Sequence, residues 1–268
     1  MRAWSMLEIE PVYRSRTFLR GLEAAGFETT LGEPPLSAGG PGDVLVTWNL
    51  GPRHYDAATR FRERGGHVIV AEKGYFDPDR YNEPVYALAR DGHNGSGFWF
   101  VGDESRFEKW GLNIHPWRGS TGDRVVVAGQ RGVGSPEMRP PRNFTERIVP
   151  DIHHALARGG VRDCTVVIRP YSDRESARVS LWDDLRDARA LVTWSSDVAN
   201  IAVLWGVPAF RMAPHHVNDA VEHGLEKLID PPEPDREAAL ERLSWAQWST
   251  PEIESGDAVR FLLQDAVA

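Results

Sequence analysis

Residues 42–72 read GDVLVTWNLGPRHYDAATRFRERGGHVIVAE, and the order of the parts in this stretch decides the fold. An apolar run is followed by a polar turn, a stretch with helical spacing, a Gly-Gly pair and a second apolar run. Two parallel strands need a connection of this length, which is usually a helix. The stretch therefore predicts a βαβ unit, with strands at 43–48 and 67–71 and a helix at 53–64.

The four residues LVTW occur again in residues 189–212, RALVTWSSDVANIAVLWGVPAFRM, and a similar order of parts follows them. This second stretch predicts a strand at 190–194, a helix at 197–205 and a strand at 207–212. We therefore expect an α/β protein in which the two stretches belong to separate domains that face each other across a cleft. In such sheets, ligands bind outside the carboxyl ends of the strands.

The domain boundary is predicted near RGSTG at 118–122, so that the first domain spans 1–120 and the second spans 121–268. The final helices of the second domain are expected to pack back toward the first. Residues 74–118 are rich in Gly, Asp, Asn and aromatic residues, and we expect an irregular, functional loop region there. The other elements predicted for the second domain are strands at 123–130 and 164–169, helices at 144–158 and 178–188, and a final helix near 256–265.

The composition is typical of a soluble globular protein. Apolar residues make up 41% and charged residues 26%, the formal net charge is −8, and no apolar run approaches the ~18 residues that span a bilayer. The amino terminus lacks the features of a secretory signal, and the single cysteine, Cys164, lies in an apolar run. We expect a cytoplasmic protein with a buried thiol. The negative charge argues against a generally basic nucleic-acid surface but leaves a local basic face open.

The turn TWSSDVAN places Ser195 and Ser196 between a predicted strand and a predicted helix. Two hydroxyls, together with the unpaired backbone N–H groups and the dipole of a helix start, suit a phosphate. The alternative is that Ser196 or Asp197 only caps the helix, which requires no ligand. The stretch by itself leaves both interpretations open.

Two further residues end predicted strands. Arg169 in IRPYSDRE could contact an anion through two hydrogen bonds or could form an internal ion pair. Glu72 in EKGYFDP has the chemistry of a general base that deprotonates an acceptor hydroxyl, but a surface glutamate would have the same pattern. The loop RDGHNGSG, with Asp91, His93 and Asn94 among glycines, is predicted to be tight and polar.

The motifs together resemble one family. The run E-x-G-Y-x-x-P that starts at Glu72, with DGHNGS after it, resembles the acceptor-side signature of capsule-polysaccharide Kdo transferases. The segments GQRG, IRPY, LVTWSSDVANIAVLWGVPAF and LSWAQWSTPEI occur in the order of that family and of related bacterial sialyltransferases. The resemblance covers most of residues 43–256. It implies the GT-B fold, with two Rossmann-like domains and a donor that is bound mainly by the second.

The resemblance also implies roles for individual residues. Glu72 corresponds to the acid proposed as general base. Ser195 and Ser196 correspond to the serine pair that holds the donor phosphate, and Arg169 and Pro170 to the region of a His-Pro motif that contacts it. A nucleotide-sugar would be the co-substrate, with no further cofactor. The other residues assigned to the donor are Gln130 and Arg131, and those assigned to the acceptor are Arg53, Tyr75, Asp91, His93 and Asn94.

Three positions depart from the family pattern. Lys73 stands where a second acid is usual, and no histidine precedes Pro170, which Tyr171 follows. Ile201 stands where many sugar-nucleotide enzymes of this fold have a ribose-binding glutamate. This last difference fits a CMP-sugar better than a UDP-sugar, or a donor of another type.

The acceptor has two interpretations, a glycan or DNA. The chain, at 268 residues, is short for this fold, and compact members of this kind resemble phage-encoded proteins, some of which modify hydroxymethylated pyrimidines in DNA. Arginines 53, 60, 62 and 64 on one predicted helix, and the aromatic run GFWF, would suit a DNA acceptor in a bacteriophage enzyme. Solvated surface is the alternative for these arginines.

Other functions remain open at this stage. The chain could be a capsule-type glycosyltransferase, a non-glycosyl transferase that acts on an activated DNA base, or a nucleotide- or DNA-binding module without activity. The adjacent pairs His153–His154 and His215–His216 do not have the spacing of metal ligands, and no HExxH or CxxC motif is present. We therefore expect no metal and a metal-independent reaction.

Overall fold

The computed structural model describes residues 1–7, 12–76, 84–119, 122–171 and 180–265, without the side chains of residues 12–14. Contacts divide the chain into two compact units. The first contains Met1–Asp103, Val133–Ser135 and Arg242–Ala268, and the second contains Glu104–Gly132 and Pro136–Glu241. The domain boundary near residue 120 stays a prediction, because residues 120 and 121 lie outside the described part.

Short strands and helices alternate along most of the chain. The first part of the chain contains β1 (Arg2–Ser5), α1 (Val12–Ala24), β2 (Glu28–Leu31), β3 (Val44–Trp48), α2 (Pro52–Glu63), β4 (His67–Lys73), β5 (Val85–Arg90) and α3 (Ser105–Trp110). The remainder contains β6 (Arg124–Ala128), α4 (Phe144–Arg158), β7 (Thr165–Arg169), α5 (Leu181–Leu185), β8 (Ala188–Thr193), α6 (Val198–Leu204), β9 (Ala209–Arg211), β10 (Glu222–His223), α7 (Glu237–Ser244), β11 (Gln247–Ser249), α8 (Thr250–Glu254) and α9 (Asp257–Leu262).

The first unit is built around the predicted βαβ stretch. Its sheet has the strand order β11-β5-β4-β3-β1-β2, and β1 to β4 pair in parallel. Val44 and Val46 of β3 pack on one face of the sheet with Phe18 of α1, whereas Leu45 packs on the other face with Phe61 of α2. Because both faces of β3 are covered, its sequence is apolar without alternation.

One prediction for this region is wrong. Within residues 74–118, expected to be irregular, β5 is a buried strand that pairs antiparallel with β4 and with β11. Its sequence VYALAR is rich in alanine, which has a low strand propensity, so the local pattern did not identify it. The strand forms because the sheet offers it a partner on each side.

The second unit has an all-parallel sheet with the order β10-β9-β8-β6-β7. The chain runs from β6 to β7 at one edge and then returns to β8 on the other side of β6. The strand order therefore reverses between β6 and β8, and this reversal is the point at which open α/β sheets bind ligands. Cys164 lies buried in this unit, as expected, and burial raises the pKa of its thiol.

Every helix in the described part of the chain is too short or too polar to cross a lipid bilayer. The two sheets, one mixed with four parallel strands and one all-parallel, confirm the α/β class predicted from the repeated LVTW segments.

The Gly-Gly pair that ends α2 has a steric cause. Gly65 has φ +94°, which favours glycine, and a Cβ on Gly66 would lie 2.6 Å from Cδ1 of Phe61 and 2.9 Å from Cα of Gly39. Phe61 is held in the core, where its ring packs edge-on against Trp4 with 5.8 Å between the centroids. The chain can therefore pass Phe61 only at a residue without a side chain.

We expect Gly66→Ala to lower the free energy of unfolding by about 1–3 kcal/mol, because the added methyl group overpacks a filled core. Urea denaturation followed by circular dichroism would measure this change. Gly132→Ala is the control, since Gly132 is exposed in a loop and a Cβ there would meet no atom within 4 Å, so its effect should be small. Equal effects of the two substitutions would contradict this explanation of the Gly-Gly pair.

Candidate functional site

The loops that follow β6 and β8 lie side by side where the strand order of the second unit reverses. Both contain residues that the sequence motifs predict to bind the donor. Gln130 follows β6 and Ser195 follows β8. The Gln130 side chain accepts a hydrogen bond from the Ser195 N–H (2.8 Å) and donates one to the Ser195 hydroxyl (2.9 Å). That hydroxyl also lies 3.3 Å from the Met138 carbonyl. Ser195 is only 2% exposed, so it holds the two loops together and is not open to solvent.

Ser196 has a different environment. Its N–H donates to the hydroxyl of Thr193 (3.0 Å), and its own hydroxyl has long contacts with the Asp197 carboxylate (3.3 Å) and the Val198 N–H (3.4 Å). Ser196 is partly exposed, and the Asp197 side chain makes no capping hydrogen bond to α6. Of the two serines, Ser196 is thus the one whose hydroxyl can reach a ligand.

Two arginines predicted to bind the donor, Arg169 and Arg131, have different environments. Arg169 forms an ion pair with Asp184, so the internal pairing left open by the sequence is present. The Arg131 guanidinium carbon lies 5.0 Å from the centre of the exposed Tyr171 ring, which follows Pro170. The β6 and β7 loops approach closely here, since a Cβ on Gly129 would lie 2.8 Å from the Tyr171 nitrogen. Arg131 is exposed and lies on the loop after β6 that also carries Gln130.

In the first unit, Glu72 lies one residue before the end of β4, and its carboxylate is held from two sides. The Tyr75 hydroxyl donates to Oε2 (2.9 Å). With the amide of Asn49 oriented to satisfy its neighbours, Nδ2 of Asn49 donates to Oε1 of Glu72 (2.9 Å), and its oxygen accepts from Nε1 of Trp48 (3.2 Å). Tyr75 is buried and Glu72 is partly exposed, so the carboxylate is fixed and still accessible.

The turn that carries Tyr75 is supported by β11, far away in sequence. The Gln247 side chain accepts a hydrogen bond from the Phe76 N–H (3.0 Å), and a Cβ on Gly74 would lie 2.7 Å from the same oxygen. Gly74 is thus required by a close approach of the two chain segments. Asn49 and Gln247 were not predicted as site residues, and the only local signal for either was the NLG turn after LVTW.

The other residues assigned to the acceptor do not gather around Glu72. Because β5 runs antiparallel to β4, the loop after it returns to the start of β4, where Asp91 pairs with the backbone of Val68. His93 and Asn94 belong to this same loop and are mostly buried. Arg53 at the start of α2 is bound to Glu33. Acceptor binding by these residues stays a prediction.

A histidine to which the sequence motifs assigned no role contacts the turn after β8 that contains Ser195 and Ser196. Nε2 of His215 lies 2.9 Å from the Ser196 carbonyl, and its Nδ1 accepts a hydrogen bond from the Val217 N–H (3.3 Å). The ring is fully buried. Burial lowers the pKa of His215 to about 4; the hydrogen bond to Ser196 opposes this shift, and the positive charge of Arg211 adds to it.

A cavity of about 340 Å³ lies beside β9 and β10 in the second unit. Its charged lining contains two bases, Arg211 and Lys227, and two acids, Asp219 and Glu222, and Lys227 pairs with Glu222. Because these charges balance, the lining favours neither an anion nor a cation. We assign this cavity no part in the site.

Within the described ranges of the chain, no group of three or more His, Cys, Asp or Glu side chains is arranged to hold a metal ion. Metal independence stays a prediction about the reaction.

The α/β fold of this chain is similar to that of solved structures. Structures of KpsC from Thermosulfurimonas dismutans share this fold. One, the β-Kdo 2,7 transferase, matches with a TM-score of 0.56 and 13% sequence identity over 97% of this chain and 99% of that one. Another, the β-Kdo 2,4 transferase, matches with a TM-score of 0.52 and 12% identity over 91% of this chain and 89% of that one. The sequence itself matches no protein-family model and no curated protein.

The lowered pKa of His215 predicts a pH dependence of stability. The unfolded chain binds a proton at this residue below its ordinary pKa of 6.5, whereas the folded chain does so only near 4. The free energy of unfolding should therefore fall as the pH drops through this window, by up to about 3 kcal/mol from this residue. Urea denaturation between about pH 7 and about pH 4.5 would measure it.

His215→Gln removes the titrating group and is the control for this measurement. The wild type is expected to be the more stable at neutral pH, and its advantage should shrink as the pH falls. A difference between the two chains that stays constant across the window would contradict the assignment.

Proposed function

We propose that this protein is a glycosyltransferase that moves a sugar from a nucleotide-activated donor to a hydroxyl group of a glycan. The proposal rests on one observation: a chain with the fold of known Kdo transferases also has candidate catalytic and phosphate-binding residues at its strand ends. The chain shares its fold with Kdo transferases over nearly its whole length. Glu72 provides a fixed, accessible carboxylate near the end of β4 in one sheet. The turn with Ser195 and Ser196 lies where the strand order of the other sheet reverses. The family resemblance of the sequence motifs supports the same conclusion.

The donor phosphate is assigned to the turn after β8. The Ser196 hydroxyl would donate to a phosphate oxygen, since its present partners are 3.3 and 3.4 Å away and easily replaced. Ser195 and Gln130 would keep the turn in place without contacting the ligand. Arg131 would supply positive charge, while Arg169 is engaged by Asp184 and would contribute only if that pair opened.

The acceptor is assigned to Glu72. Its carboxylate would accept the proton of the acceptor hydroxyl while that oxygen attacks the anomeric carbon of the donor sugar. The bond from the anomeric carbon to the phosphate oxygen breaks, and its electron pair leaves with the nucleotide. Hydrogen bonds from Tyr75 and Asn49 fix the carboxylate in one orientation, which limits the reorganisation needed in the transition state.

The negative charge on the departing phosphate needs compensation. We infer that the Ser196 hydroxyl and the Arg131 guanidinium supply it, so that the reaction requires no metal ion. The reaction also requires Glu72 and Ser196 to act on one pair of substrates. The cleft between the two domains, predicted from the sequence, is therefore part of this proposal.

A DNA acceptor is less well supported than a glycan. Two of the arginines proposed to contact DNA, Arg53 and Arg60, both pair with Glu33. In the GFWF run, Phe98 and Phe100 pack against each other with 5.0 Å between their centres, and Nε1 of Trp99 donates to the Arg242 carbonyl. Residues taken up by such internal contacts are less available to phosphates and bases.

Glu72→Gln should lower turnover by about 10²- to 10⁴-fold, because an amide cannot accept the proton. The affinity for the donor nucleotide should change little. The measurement is steady-state transfer from nucleotide-activated sugars to oligosaccharide acceptors, with nucleotide binding measured by calorimetry. Glu63→Gln, an exposed acid on α2, is the matched control and should retain full activity.

Turnover by Glu72→Gln close to that of the wild type would remove the assignment of the base. If the wild type binds a nucleotide but releases no product from any donor, the chain is a binding module.

Ser196→Ala should weaken nucleotide binding by about tenfold to a hundredfold, since a hydrogen bond to a charged group contributes about 1.5–3 kcal/mol. Calorimetric titration with CMP, UDP, GDP and ADP would measure this loss and would identify the preferred nucleotide. Ser37→Ala, an exposed serine in the first unit, should leave binding unchanged. Equal binding by Ser196→Ala and wild type would show that the phosphate lies elsewhere.

A further inference from the structure

His215 is placed to act on the phosphate turn without touching a ligand. Its Nδ1 accepts from the Val217 N–H (3.3 Å), which requires Nε2 to carry the proton and to donate to the Ser196 carbonyl at 2.9 Å. Its backbone N–H is bound by the Asn218 side chain (2.8 Å). Both ring nitrogens are used and the ring is fully buried, so the side chain has no route to a substrate.

The hydrogen bond from His215 completes the restraint of Ser196. On one side of this residue, the N–H is held by the Thr193 hydroxyl (3.0 Å). On the other, the carbonyl accepts from His215 and also from the Ala199 N–H (3.1 Å), at the start of α6. The backbone of Ser196 is thus fixed at both ends, while its hydroxyl keeps only long contacts. A restrained backbone with a replaceable hydroxyl is the arrangement that a preorganised anion contact needs.

The adjacent His216 has a different partner. Its Nε2 lies 2.6 Å from Nδ2 of Asn200 in α6, and its ring lies 4.3 Å from the ring of His215. The two histidines are similarly buried and belong to the same segment, but His215 binds the Ser196 carbonyl whereas His216 binds Asn200 of α6. This difference provides an internal comparison for an experiment.

We propose that His215 is a positioning residue that fixes the Ser196 carbonyl and thereby holds the Ser196 hydroxyl where it receives the donor phosphate. The inference rests on the proposed function, because that function assigns the phosphate to this turn. His215 acts through Ser196 and makes no contact with the donor.

The test compares His215→Phe, His215→Gln and His216→Phe with the wild type. Phenylalanine keeps a buried ring but cannot donate to Ser196, whereas the glutamine amide can reach that carbonyl. Calorimetric titration with CMP, UDP, GDP and ADP should show binding weakened by about tenfold in His215→Phe, the loss expected for one hydrogen bond. Binding to His215→Gln should lie within about threefold of wild type, and binding to His216→Phe should be unchanged.

Amide hydrogen exchange of the ligand-free chains provides a second readout. The Ser196 and Ala199 amides should exchange about tenfold faster in His215→Phe than in the wild type, and His215→Gln should restore their protection. His216→Phe should leave these two amides unaffected. If His215→Phe does not fold, His215→Met takes its place: its side chain is buried and cannot donate to the Ser196 carbonyl, so the same weaker binding and faster exchange are expected, and wild-type binding and exchange in it would overturn the inference.

The outcomes separate this inference from the proposed function. If the wild type binds no nucleotide, the proposed function fails, and the exchange experiment still decides whether His215 fixes the turn. If the wild type binds a nucleotide and His215→Phe binds it equally well, the inference is wrong while the proposed function stands. Equal losses in His215→Phe and His216→Phe indicate general destabilisation and also overturn the inference.

Discussion

The pair of hydrogen bonds between Gln130 and Ser195 joins two loops that the sheet topology separates. β6 and β8 are neighbours, but the chain continues from β6 to β7 and from β8 to β9, toward opposite edges of the sheet. Both loops leave the strands with polar backbone groups near the buried core, and an unsatisfied buried polar group costs about 1–3 kcal/mol. One amide side chain satisfies the N–H and the hydroxyl of Ser195 together. The position of Ser196, and the contact of His215 with it, depend on this pair.

The repeated LVTW segment has a structural explanation in both units. In each copy the threonine is fully buried and its hydroxyl binds the turn that follows the strand: Thr47 donates to the Asn49 carbonyl, and Thr193 accepts from the Ser196 N–H. The same tetrapeptide thus fixes one turn that holds Glu72 through Asn49 and another that presents Ser196. A threonine at this place suits a parallel strand, since its branched side chain favours the strand and its hydroxyl satisfies the turn.

Local sequence patterns bring candidate residues together where these lie close along the chain, and their roles stay predictions. Glu72 with Tyr75, and Ser195 with Ser196, lie close in sequence and were recognised together. Partners from distant segments, such as Gln247 and His215, were not assigned, because a buried glutamine or histidine has no local pattern that identifies its contact. The sequence analysis groups the loop with Asp91 with Glu72, because the direction of β5 cannot be read from the sequence. The loop lies at the other end of β4, because β5 runs antiparallel to it.

By itself, the sequence determined the α/β class, the βαβ unit at 42–72 and the strand ends where polar residues gather, because periodicity and turn residues are local properties. The tertiary structure decided which strand ends are neighbours, which arginines are already paired, and which serine is open to a ligand. These properties depend on strand order and on contacts between distant segments. Whether Arg169 meets Asp184 or an anion is settled by the three-dimensional position of α5, which no stretch of sequence around Arg169 contains.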